Sequence, residues 1–86
     1  MPTAIRSSDL KVPRPYSHTA TTEKVLSLLE KHPLRGRRFL DLGAGEGYLT
    51  DKLCGVLRKH GVRPEECVTA CDLYPETFLV SDIPCV

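Results

Sequence analysis

One segment constrains this chain more than any other: Phe39-Leu40-Asp41-Leu42-Gly43-Ala44-Gly45-Glu46-Gly47-Tyr48-Leu49-Thr50. A short apolar run meets three alternating glycines, and an amphipathic run follows at once. Glycine has no Cβ and adopts positive φ freely, so the backbone can turn sharply and approach a ligand closely. Arg37–Leu42 reads as a strand, with Phe39, Leu40 and Leu42 as its apolar residues. After the glycines, Tyr48 to His60 reads as a helix. Leu49, Leu53, Val56 and Leu57 fall on one face at i, i+4, i+7 and i+8. Arg58, Lys59 and His60 suit its C-terminal end, and Gly61 suits the residue just past it.

The flanking sequence completes a pattern. Thr19–His32 reads as a leading helix with Val25, Leu26, Leu28 and Leu29 as its apolar stripe, stopped by Pro33. Thr19, Thr21 and Thr22 are candidate caps for it. Leu34-Arg35-Gly36 is a turn, and Pro64-Glu65-Glu66 a loop. Cys67–Asp72 (CVTACD) reads as a second strand ending on a carboxylate. Tyr74-Pro75-Glu76 is a turn. The run TFLVSDIPCV begins a short helix and leads to a third strand. Residues 1–18 hold Pro2, Pro13 and Pro15 and no apolar period, so they read as an extended arm, ordered near Tyr16. The expected fold is therefore α/β: an arm over residues 1–18, then a domain portion over 19–86. That portion has a leading helix, a β-α-β unit and the start of a third strand, and it implies a parallel sheet.

A chain of 86 residues is one small domain at most, with a thin core. A parallel sheet needs cover on both faces, and two helices provide little. The expectation is the opening half of a larger domain. Twelve Lys and Arg against 11 Asp and Glu leave a net charge of +1, which excludes nucleic-acid binding driven by overall charge. The composition, 41% hydrophobic and 27% charged, is that of a globular chain rather than a disordered tail. No apolar run approaches the roughly 18 residues of a membrane span. The N-terminus lacks the apolar core of a signal peptide. A cytoplasmic setting is the expectation. Cys54, Cys67, Cys71 and Cys85 permit disulfides or a four-thiolate zinc site, but no pair has the two-residue spacing of a zinc knuckle. Buried, reduced thiols are the favoured reading, with no metal.

The chemistry sits at the strand ends. Asp41 adds a carboxylate beside the glycines, and Asp72 ends the neighbouring strand. Adjacent parallel strands place their C-terminal ends side by side, so both acids border one crevice. The N-terminus of the second helix points free N–H groups at the same spot. An acid there can accept both hydroxyl hydrogens of a ribose. A purely structural account also exists: a glycine turn made for tight packing, with Asp41 and Asp72 as turn residues.

Asp41-Leu42-Gly43-Ala44-Gly45-Glu46-Gly47 resembles motif I of class I S-adenosylmethionine-dependent methyltransferases: an acid, one residue, then Gly-x-Gly-x-Gly. The resemblance spans about residues 37–80. It implies a Rossmann-like methyltransferase fold, here partial, and S-adenosylmethionine or S-adenosylhomocysteine as ligand. By the same resemblance, Gly43, Gly45 and Gly47 line the methionine part of the donor, and Asp41 sits by its amino group. Asp72 holds the ribose hydroxyls, and Leu73 flanks the adenine.

A nicotinamide dinucleotide fingerprint, Gly-x-Gly-x-x-Gly, would need glycine where Tyr48 stands. The resemblance to the methyltransferase motif implies methyl transfer to an unidentified small-molecule acceptor as the activity of the parent domain, with the 86 residues inactive alone. A dinucleotide-binding oxidoreductase fragment is the remoter alternative. Another is a binding or scaffolding module completed by a partner chain, or by self-association, through an exposed sheet edge. No catalytic residue and no acceptor-binding residue can be named. His18, His32 and His60 are scattered. Arg35, Arg37 and Arg38 read as a solvated strand end, and Glu46 as complementing the helix dipole.

Overall fold

A computed structural model of the chain describes residues 12–15 and 19–86. Most of the N-terminal arm, with Tyr16 and His18, lies outside the described residues. Residues 12–15 carry no regular structure.

Helix α1 spans Thr19–Leu29. It ends short of His32 because the chain tightens first. Lys31 and His32 donate to the carbonyls three residues back, Leu28 and Leu29, at 3.2 and 3.0 Å, and Pro33 forbids continuation. Strand β1 is Phe39–Leu42, helix α2 is Tyr48–Lys59 and strand β2 is Val68–Cys71. β1 and β2 pair in parallel, Phe39 opposite Val68 through Leu42 opposite Cys71. The strand–helix–strand order read from the sequence is thus present, in a mixed α/β arrangement.

Helix α2 ends in a complete Schellman motif. Val62 N–H reaches the Leu57 carbonyl at 2.9 Å, and Gly61 N–H reaches Arg58 at 3.0 Å. The motif needs a left-handed residue, and Gly61 supplies it at φ 74. A 3₁₀ turn over Pro64–Glu66 then leads into β2.

The core lies between α2 and one face of the sheet. Leu53, Cys54 and Leu57 of α2 pack with Val68, Leu34 and Ile83, flanked by half-buried Phe39, Leu26 and Leu29. The alternation of β2 explains this: Val68 and Ala70 are buried and Thr69 and Cys71 are half-buried. The opposite face is open. Leu40 and Leu42 of β1 are 61% and 71% exposed.

The segment after β2 departs from expectation. There is no helix there beyond a single 3₁₀ turn over Pro75–Thr77. The chain then runs extended across the glycine loop, where Leu79 N–H donates to the Glu46 carbonyl at 3.0 Å. Asp82 turns it with φ 67, the sole described non-glycine residue at positive φ. The chain returns beside β2. Ala70 N–H donates to the Pro84 carbonyl, Val86 N–H to Ala70, and Asp72 N–H to Val86, at 2.9 to 3.0 Å. The expected third strand is thus a single parallel bridge, Ala70 to Cys85, on the edge of β2 away from β1.

Candidate functional site at the glycine loop

Asp41, Gly43, Gly45, Gly47, Asp72 and Leu73 gather at the C-terminal ends of β1 and β2, but in unequal roles. The loop is pinned to the sheet first. Gly43 and Ala44 N–H both donate to the Cys71 carbonyl, at 2.8 and 3.0 Å. Gly47 N–H then closes a tight turn on the Ala44 carbonyl at 2.9 Å. Gly43, Gly45 and Gly47 all hold positive φ, at 68, 59 and 97, a conformation that costs other residues about 1 kcal/mol or more.

Two of these glycines have opposite surroundings. A Cβ on Gly43 would meet nothing within 4 Å, so the loop there is open to a neighbour. A Cβ on Gly47 would strike Val80 at 2.6 Å and Phe78 at 2.7 Å. Gly47 is buried and serves the packing of the crossing segment. The structural account of the glycines holds at Gly47, and Gly43 is left facing space.

Asp72 is tied into the loop. Its Oδ2 accepts the Gly45 N–H at 2.7 Å, and its Oδ1 accepts the Tyr74 N–H at 2.9 Å. These two bonds, the Tyr74 contribution first, hold its carboxyl below the ordinary value of 3.8, against a smaller opposing effect of desolvation. Both oxygens keep further lone pairs, since a carboxylate offers about four acceptor sites. Leu73 beside it is 90% exposed.

Asp41 is held from the helix side. Thr50, fully buried on α2, donates its hydroxyl to Asp41 Oδ2 at 2.6 Å. Asp41, Gly43, Ala44 and Tyr48 line a cleft of 160 Å³, together with Arg14 of the arm and Thr22 of α1. Pockets for drug-sized ligands measure roughly 300–1,000 Å³, so this cleft has room for an amino-acid-sized group rather than a whole nucleoside cofactor. Gly45, Gly47, Asp72 and Leu73 do not line it.

Sequence reasoning missed the arm's contribution. The Arg14 main-chain N–H and its Nε both donate to Glu46 Oε1 at 3.1 Å, and its Nη2 bonds Glu46 Oε2. Glu46 is therefore the anchor of the arm on the glycine loop. It precedes the N-cap Gly47, and the acid in the first turn of α2 is Asp51. Arg14 lies 32 residues upstream in a proline-rich stretch, and no local pattern links the two. Thr50 was missed for another reason: a polar residue on a helix face is read as solvated until an acceptor is known to face it.

All four cysteines are free, Cys54 buried and the others half-buried. No group of three or more metal-ligating side chains occurs among the described residues. No helix among them is long and apolar enough to cross a membrane. Comparison with protein-family models, curated proteins and solved structures returned no match to this chain.

Proposed function

We propose that this chain carries the donor half-site of an S-adenosylmethionine-dependent methyltransferase with a Rossmann-like sheet. The observation that carries the reading is the Asp72–Gly45 hydrogen bond, 2.7 Å long. It joins Asp72, just after β2, to the glycine loop following β1. Gly43 leaves room for close backbone approach. Asp41 offers a carboxylate in an amino-acid-sized cleft, suited to an ammonium group. The free lone pairs of Asp72 suit a pair of ribose hydroxyls.

The same geometry disfavours a dinucleotide. Tyr48 stands where the fingerprint needs its third glycine, and it forms part of the cleft wall. Two carboxylates also suit a cationic ligand better than a pyrophosphate. The chain's residues account for binding and orientation of the donor.

The test is an amide NMR correlation spectrum of the full chain, with and without S-adenosylhomocysteine. The expected result is saturable movement of the Gly43–Gly47 and Asp72 peaks. An unmoved spectrum, or equal movement with a nicotinamide dinucleotide, would overturn the reading.

A second reading draws on the open sheet face. Leu40, Leu42 and Val86 are exposed apolar residues, and β1 pairs on one edge alone among the described residues. A module completed by a partner chain or by a second copy would present such a surface. Native mass spectrometry separates the cases: a stable dimer favours this reading, and a monomer that binds S-adenosylhomocysteine favours the first.

A further inference from the structure

The opposite end of the sheet carries its own cavity. It measures 460 Å³ and is lined by Arg35, Arg37, Arg38 and Arg63, with Glu66 and Cys67 beside them. Four-residue strands separate it from the glycine loop by roughly 13 Å at about 3.3 Å per residue. It belongs to a different site.

The arginines converge because of strand register. Phe39 pairs with Val68, and Phe39 N–H donates to the Cys67 carbonyl at 2.8 Å. The residues just before β1, Arg37 and Arg38, are thereby brought beside the residues just before β2. Arg63 arrives on the 3₁₀ turn feeding β2, where the Cys67 thiol donates to the Arg63 carbonyl at 3.6 Å. Arg35 arrives from the turn after α1. Its Nη2 reaches the His60 carbonyl at 3.4 Å and lies against Gly61, 3.2 Å from where a Cβ would stand. Two separate segments, 35–38 and 61–67, thus bring four arginines to one concavity.

The opposing charge is small. Glu66 is the acid in the lining, and it pairs with Arg63 at 3.1 Å. Glu65 lies next to it in sequence, outside the lining. Arg37 and Arg38 form no ion pair among the described residues. A local excess of positive charge persists on a chain whose net charge is +1. Guanidinium groups are planar forks that match phosphate oxygens two at a time. The volume lies within the range of small-ligand pockets.

We propose that this cavity binds a small oligophosphate anion, with Arg37 and Arg38 as its principal contacts. Several phosphate groups are needed, because a single one would not engage four arginines spread over two segments.

The test is an amide NMR titration of the full chain with inorganic tripolyphosphate, with sulfate at matched ionic strength as control. Saturable movement of peaks from residues 35–38 and 61–67, weaker with sulfate, is the expected result. R37Q/R38Q should weaken binding at least tenfold while keeping a dispersed spectrum. R37K/R38K should fall between the two, because lysine keeps the charge and loses the fork. Equal movement with sulfate overturns the proposal. So does movement confined to the glycine loop, full binding by R37Q/R38Q, or a collapsed spectrum that tripolyphosphate leaves unchanged. An oligouridylate that binds these residues more tightly than tripolyphosphate overturns it in favour of an RNA surface.

Discussion

Asp72 Oδ2 accepts the amide hydrogen of Gly45 at 2.7 Å, across the junction of two strands. This bond does two things. It fixes the glycine loop against β2, and it stabilises the ionised carboxylate. A carboxyl held below its ordinary value binds fewer protons folded than unfolded. Stability from Asp72 is therefore fully present above pH 3.8 and is lost as pH falls through the lower folded value.

Asp72→Asn should remove that dependence. Asparagine has one acceptor oxygen for two N–H donors. The wild-type chain should be the more stable above about pH 5, and the difference should shrink towards about pH 2. Urea denaturation across that range checks it. Glu30 is also lowered, chiefly by its hydrogen bond to His60 at 3.0 Å and further by Lys59. It is unaltered in the variant, so the difference isolates Asp72. A constant gap across the range would contradict the assignment.

The glycines should separate by mutation. Gly47→Ala places a Cβ 2.6 Å from Val80 and 2.7 Å from Phe78, at φ 97. Overpacking and left-handed strain together should cost about 2–4 kcal/mol. Gly43→Ala meets nothing within 4 Å and carries the strain alone, about 1–2 kcal/mol. Thermal denaturation ranks them. S-adenosylhomocysteine binding should rank them by a different criterion: Gly43→Ala should lose affinity while remaining folded.

Much of this arrangement was legible in the sequence, and the reasons differ by element. Helix α2 was readable because Leu49, Leu53, Val56 and Leu57 keep a helical period between a glycine loop and Gly61. The buried face also takes in Thr50 and Cys54, which hydropathy alone does not mark. The third strand was readable only as a tendency. Phe78 and Val80 prefer to pack over Gly47 rather than to form a helix, and that preference depends on a contact more than 30 residues away in sequence. The Arg14–Glu46 pair was not legible at all, and of the four-arginine cavity the Arg35, Arg37 and Arg38 cluster was visible, read as a solvated strand end, without Arg63. Both arise from register and loop placement, and no local periodicity encodes either.

Thr50 makes a sharper stability prediction than any apolar core residue of similar size. Its hydroxyl is fully buried and bonds Asp41 Oδ2 at 2.6 Å. Thr50→Val keeps the shape and leaves the carboxylate oxygen without that donor. The expected cost is about 1–3 kcal/mol. Thr50→Ser retains the donor and should lose less. Denaturant unfolding of the two variants decides it, and a valine variant as stable as wild type would show that water replaces the hydroxyl.

Cys54 should be the slowest thiol to react. It lies in the core between Leu53 and Leu57, and burial pushes its thiol up from the ordinary value. The thiolate is the reactive form, so both access and ionisation oppose alkylation. Cys67 and Cys85 are also raised by desolvation, but they are only half-buried. Timed iodoacetamide labelling with peptide mass spectrometry should find Cys54 modified last, at the rate of unfolding, and the other three modified earlier. Adding urea should bring Cys54 into line with them. Equal labelling of all four in native buffer would mean that α2 does not pack on the sheet as described.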